Sequence, residues 1–400
     1  MRKRLGATSM KKKILAAAIA GLGAPLALPA HADIKITDKF YPAIVMNSGA
    51  QASDASTPTS TFFNNGAGVI DQTTIDTFNS WIRFSGEADA GGGIKGWFQV
   101  EQALDFDVGN TAFWANRNSA MGIKGGFGNV FLGRWDTPYK QLHFPTNMFG
   151  LSSGAPISNS GLLSRTPYSG GSSRASFHRR QNNMIQYWSP TLAGFTAKVM
   201  WGTEETKTPG VYPTRTSASL EYETGPLLVG VAYEVHNNLR GATAGLSGGL
   251  TTGVSHSTDT GLDLTAVYKI KSTGTEIGGD IESLTYKDND GAAGAVEEYK
   301  RAAWRVGVEQ TVGPVILGFN YGMASEGSCS LFGGGACSTD GFGATQMSIG
   351  GMYHFSKALG AYAWYTQINN DNSASYSFLG AATPTGADPT AVALGLYGRF

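Results

Sequence analysis

Charge is scarce in this sequence: Asp, Glu, Lys and Arg make up 15% of its 400 residues, against about 25% in an ordinary soluble domain. Cysteine is nearly missing, at two residues, which excludes a disulfide-dense mini-domain and a four-thiolate metal centre. The 15 prolines are too few for a proline-rich or collagen-like chain, and aromatics at 11% do not fit a disordered one. Beyond the N-terminus no run reaches eighteen consecutive apolar residues, so no membrane-spanning helix is expected there. Amphipathic stretches of helical period, long enough for a helical domain, are also missing. Glycine is what abounds: 55 residues, roughly twice the usual share.

The formal charge of zero hides an asymmetry. Arg2, Lys3, Arg4, Lys11, Lys12 and Lys13 precede an apolar stretch, Ile14 to Leu28, and Ala30-His31-Ala32 supplies a small-x-small cleavage signal. This is the three-part pattern of a secretory signal peptide over residues 1–32, with Asp33 as mature start and Met10 as an alternative initiator. Against a membrane anchor stand the shortness of the stretch and its Gly23, Pro25 and Pro29. Cleavage removes six basic residues and no acid, leaving residues 33–400 with 24 basic and 30 acidic side chains, a net −6.

The exported part alternates. Ile94, Gly96, Phe98 and Val100 interleave with Lys95, Trp97, Gln99 and Glu101. Leu262, Leu264, Ala266, Tyr268 and Ile270 form a second apolar file, Trp304, Val306 and Val308 a third. A period of two means strands with one apolar and one polar face. Sixteen are expected, near 34–46, 78–88, 94–103, 117–125, 128–135, 181–189, 195–202, 216–224, 227–235, 261–270, 275–286, 299–310, 315–324, 343–354, 358–368 and 391–400. Tight turns alternate with long polar connections at 47–77, 104–116, 136–180, 203–215, 236–260, 287–298, 325–342 and 369–390, so the long ones share one end. That is the plan of a transmembrane β-barrel. In lipid every backbone N–H and C=O needs a partner, and a barrel leaves no edge. A soluble sandwich or propeller, the alternative, rarely combines so many strands with such loop asymmetry. The predicted class is all-β: an antiparallel sixteen-stranded transmembrane barrel.

Four segments resemble the general diffusion porins of Gram-negative outer membranes, in that family's order: GEADAGGGIKGWFQVE (86–101), MGIKGGFGNVFLGRWDTP (121–138), RQNNMIQYWSPTLAGF (180–195) and the terminal GLYGRF ending on Phe400. The likeness runs from about residue 80 to 400. The first strand departs from it, because Pro42 lacks a donor and must shorten or break the ladder. Trp81 stands where the family carries a basic residue, and Ala88 where it carries an acid. The resemblance implies a homotrimer in the outer membrane that passes small hydrophilic solutes and ions, without enzymatic chemistry, cofactor, metal or nucleic acid. It implies a third long loop, 136–180, folded inward to constrict the pore. It also implies delivery to the barrel-assembly machinery, with the terminal aromatic Phe400 as the signal that is read. The same ring suits the headgroup interface.

In the family, wall arginines face acids on the constriction loop, and Arg134 and Arg180 match those arginines. Strict alternation puts Arg134 on the face of Val130 and Leu132, where an Arg at the midplane costs about 2–4 kcal/mol. A bulge at Gly133, or a strand end past the hydrocarbon, is therefore expected to turn Arg134 to the lumen. The loop departs usefully from the family. From Thr137 to Thr203 no acid occurs in 67 residues, where proportion predicts about five, yet Lys140, Arg165, Arg174, Arg179, Arg180 and Lys198 are present. Asp136 is the loop's only acid. Charge in a narrow pore is felt over a Debye length of about 8 Å. Anion preference is expected, with Arg134, Arg179, Arg180, Asp136, Arg83 and Lys140 at the constriction. A Ser/Gly-rich loop that is merely polar is the plainer alternative. Trp135, Tyr139, Phe144, Phe149, Tyr168 and Phe177 either offer a wall to small anionic or aromatic solutes or pin the loop in place. Outside transport, the rival is a non-conducting surface adhesin.

Three further motifs are set aside. GGGIKG (91–96) fits G-x-G-x-x-G, but a second strand follows where a helix would have to. GLSGG (245–249) fits G-x-S-x-G without the strand-to-helix elbow. His143, His178, His236, His256 and His354 stand in no pattern with a nucleophile or metal ligand. Cys329 and Cys337, eight apart in an exported chain, are expected to form a disulfide, contributing about 2.5 kcal/mol through loop closure.

Overall fold

The computed structural model describes residues 33–49, 71–107, 114–151, 155–167, 176–205, 210–239, 256–378 and 383–400. The expected signal peptide, Arg174 and Tyr168 lie outside the described residues. Nineteen strands form one sheet: β1 (Lys35–Lys39), β2 (Ala43–Gly49), β3 (Gln72–Asp76), β4 (Trp81–Gly91), β5 (Ile94–Ala103), β6 (Ser119–Gly125), β7 (Gly128–Asp136), β8 (Arg180–Trp188), β9 (Phe195–Thr203), β10 (Thr214–Thr224), β11 (Leu227–Asn237), β12 (Ser257–Ile270), β13 (Thr275–Asp288), β14 (Val296–Val312), β15 (Val315–Ala324), β16 (Ser328–Leu331), β17 (Ala344–His354), β18 (Leu359–Asn370) and β19 (Pro389–Gly398). The sixteen expected crossings are all there. Three of the nineteen are extra pieces: β1 and β2 share the first crossing, β3 and β4 the second, and β16 is a rim strand on β14. The Cys329–Cys337 disulfide, with Cα atoms 5.7 Å apart, ties off that rim hairpin.

Pairing is antiparallel between successive crossings. The seam lies at the first one. β1 pairs with β4 and β2 with β3, both of the second crossing, and β2 alone also pairs with β19. Between β1 and β2, Phe40 exchanges both backbone hydrogen bonds with Gly398, at 2.8 and 3.0 Å. The sheet thus returns on itself through a strand broken beside Pro42, where the missing N–H interrupts the ladder, and not through one uninterrupted ladder.

The faces are inverted relative to a soluble protein. Leu262, Leu264, Ile281, Trp304, Val306 and Val308 are exposed on the outside, and Asp263, Thr265, Asp280, Glu282 and Arg305 between them are buried inside. That polarity suits a lipid surround. Two long loops fold into the interior. The third begins with a capped helix, α1 (Pro138–Leu142), whose N-cap Thr137 accepts from the Lys140 amide. It then runs through short 3-10 turns along β13 and β15. The last long loop joins it: Arg165 donates to the Ser377 carbonyl at 2.7 Å and Ser375 to that of Pro167 at 2.8 Å.

The expected bulge is present, but on the other strand. Register shifts between Gly133 and Trp135, where Met184 and Gln181 are their partners. Two residues of β8, Asn182 and Asn183, therefore oppose one of β7, and Asn183 takes φ +47°. Because the extra residue sits in β8, β7 keeps its alternation as far as Trp135, whose ring joins that of Phe131. Arg134 consequently lines a recess on the outer face with Leu132, Ile185 and Trp201. This corrects the expectation that it turns to the lumen.

Candidate pore constriction

The inner surface has two unlike walls. On β11 to β14 a row of acids, Glu234, Asp259, Asp263, Asp280 and Glu282, is buried beneath the third loop. A buried carboxylate must be paired or hydrogen-bonded, and the loop and the neighbouring strands share that role. Glu282 accepts from the Tyr139 hydroxyl (3.1 Å), the Ser164 amide (2.7 Å) and Arg301 (3.1 Å). Asp280 accepts from Thr146 and Thr265 at 2.6 and 2.8 Å. Glu234 lies 3.2 Å from Arg215 and 2.7 Å from His236. His143 meets Asp263 at 3.2 Å; burial lowers its pKa, but Asp263, Asp280 and Glu282 outweigh that and raise it to about 9. His178, 6.1 Å away and stacked, is pushed well below its usual value by burial and by Lys140 and His143. His143, Asp263 and Asp280 hold ligand atoms within 4.8 Å of one another, the one such group among the described residues that could share a cation. Its geometry already serves as the tether of loop to wall.

The facing wall, β4 to β9, opens onto recesses of about 620 and 550 Å³, and there charge is arranged in triads. Glu101 sits between Arg83 (2.5 Å) and Arg117 (2.6 Å). At the root of the loop Asp136 sits between Lys140 (2.8 Å) and Arg180 (3.1 Å). Glu87 sits between Lys95 (3.6 Å) and Lys124. Each triad satisfies its carboxylate and retains one positive charge. Asn118 braces the second, donating to Asp136 (2.7 Å) and accepting from Arg180 (2.8 Å). A fourth acid, Glu221, pairs singly with Lys198 at 2.7 Å. Burial pulls Lys140 down to about 8 in spite of Asp136.

The structure thus gathers Arg180, Lys140 and Asp136 into one cluster, and places Arg83 in its neighbour. Arg179 adjoins them in sequence, half-buried, and has contacts of its own. Arg134 lines the recess beside Leu132 and Trp201 and still feels the charges of Arg179, Arg180, Asp136 and Arg117. Sequence reasoning missed Arg117, which lies just before a strand and alternates with nothing. Of the two readings of the loop aromatics, Tyr139, Phe149 and Phe177 follow the second: they are buried, with Phe177 stacked on His236 at 4.1 Å, and they pin the loop. Trp81, where a basic residue was due, lies under the Arg83 guanidinium at 4.4 Å.

A family profile described as Gram-negative porin matches residues 15–373. Among curated relatives, the major outer membrane protein P.IB of Neisseria gonorrhoeae is 32% identical over 133 residues, 33% of this chain and 34% of that protein. Outer membrane porin protein 32 of Delftia acidovorans is 26% identical over 217 residues, 53% of this chain and 60% of that one. The chain therefore aligns with about a third of the first relative's length and less than two thirds of the second's. Among solved structures, the anion-selective porin from Comamonas acidovorans superposes with a TM-score of 0.71 at 18% identity, covering 92% of this chain and 100% of that one. At that identity the likeness concerns the fold.

Proposed function

The chain belongs to the Gram-negative porins, proteins of the outer membrane, and from that membership we propose that it forms a homotrimeric, water-filled channel for passive diffusion of small hydrophilic solutes, with a preference for anions. No bond is made or broken, and flux follows the solute gradient. The filter in this reading is Arg83, Arg117, Arg179, Arg180 and Lys140 with their acids Glu101 and Asp136. Arg134 contributes only its field from behind the wall.

One observation carries the reading: each acid of the three triads is shared by two cations, and Glu101 and Asp136 are buried beneath theirs, while Arg83 stays part-exposed. A chain that is acidic overall then presents a basic surface to ions. The size of the effect follows from Coulomb's law. A charge about 8 Å away contributes about 0.5 kcal/mol in water, and screening leaves about a third of that. Three such charges favour Cl⁻ over K⁺ by about 1 kcal/mol, roughly five- to ten-fold. The zero-current potential of single channels in a KCl gradient measures this ratio. A potential of the K⁺-selective sign overturns the preference, and a bilayer without conductance overturns the channel.

A further inference from the structure

The open wall carries a feature that the ion filter does not use. Trp97 on β5, Trp135 on β7 and Trp188 on β8 surround Phe131, their ring centroids 5.1 to 5.3 Å from its own. Phe131 is buried, but the three indoles are only half-buried, and together they line a recess of about 620 Å³. Among the described residues, no member of the two inward loops belongs to this cluster, so the rings are not there to hold a loop. Trp97 is fixed by donating from Nε1 to Asn129 at 2.7 Å. The Lys198 ammonium stands 5.6 Å over the Trp188 ring. Lys35 and Lys124 line the same recess with Asp33 and Glu87, and Glu87 is already shared with Lys95. Toward the short turns the wall continues into a second recess of about 550 Å³ that shares Lys124, Asn129 and Trp188.

We propose that this recess is a transient binding subsite for small ring-bearing anions, aromatic carboxylates above all; the inference rests on the channel reading above. An aromatic ring stacks on an indole face, and a carboxylate attached to it lies within reach of the surplus lysine charge. Saturated rings of the same charge keep the lysines but lose the stacking. Neutral aromatics keep the stacking but lose the charge. Weak binding at successive sites suits a channel, since a solute must enter favourably and still leave.

The test uses trimers purified from outer membranes, with benzoate and cyclohexanecarboxylate as probes. Benzoate is expected to modulate the chloride current at a concentration about five-fold lower than cyclohexanecarboxylate. The double variant Trp97→Leu, Trp188→Leu is expected to abolish that difference while leaving the zero-current potential in KCl unchanged. Equal potency of the two probes on the native channel overturns the subsite, as does a difference that survives in the double variant. Should that variant fail to assemble, tryptophan fluorescence of the native trimer decides: quenching by benzoate that saturates supports the site, and quenching that stays linear overturns it. Absence of conductance together with saturable quenching would overturn the channel reading and leave the subsite standing.

Discussion

The two inner walls carry similar residues and do opposite things with them. On β11 to β14 the acids are covered by the third loop, and their charge is spent on its hydroxyls, amides and His143. On β4 to β9 the third loop adds a cation, Lys140, and no acid, and each triad carboxylate is outnumbered by its cations. The electrostatics of the pore are therefore not the sum of inward-facing charges. They are set by which charges the inward loops consume. An acid under a loop is an anchor; an arginine opposite it, in the channel proposed above, is a filter.

The largest expected effect comes from attacking the covered wall. Glu282→Gln leaves Arg301 buried without its carboxylate, which costs about 3 kcal/mol or more. A lower melting temperature of the trimer and a larger single-channel conductance are expected, because the loop loses its seat. Unchanged conductance would mean that the loop is held elsewhere. Next comes the open wall. Arg83→Glu with Arg180→Glu takes its net charge from three positive to one negative, and the channel is expected to turn to about two-fold K⁺ preference, read as a sign change of the zero-current potential. If the sign persists, the filter lies on other residues. The smallest effect is a titration. Lys140 has its pKa lowered to about 8, so it is charged below that pH and neutral above it. Raising pH from 6.5 to 9.5 removes one of three positive charges and should lower Cl⁻ preference about two-fold. Lys140→Gln should remove the part of that profile centred near pH 8 and leave the part His143 contributes near 9, and a variant with the native slope would remove Lys140 from the filter.

Much of this architecture is legible from residue order. Alternation fixes which side chains share a face, so the sixteen crossings and the polar interior follow from it, and Pro42 marks the broken first strand by its missing donor. The Gly133 region shows the limit. Parity demands an irregularity there, but a bulge can be taken up by either strand, and here Asn182 and Asn183 take it; Arg134 stays outside. Contacts between a loop and a wall more than a hundred residues away, such as Tyr139 with Glu282, leave no periodic trace. Nor does the inward fold of 371–378 onto Arg165 and Pro167. The tryptophan cluster did leave one: Trp97 alternates with apolar residues, on the face reserved for polar ones, and an indole there asks for a reason.

The seam at Pro42 also constrains the order of events during assembly. Phe40 can meet Gly398 only after nearly the whole chain has been made, and the Phe400 amide reaches back to Asp38 at 2.7 Å. Contacts of such sequence separation are the slowest to form unaided. Until the last strand arrives, β2 has an unpaired edge, the kind of template that invites aggregation. A growing sheet of this chain therefore needs a chaperoned edge from its first strand to its last, and its final residues decide when that protection can be released.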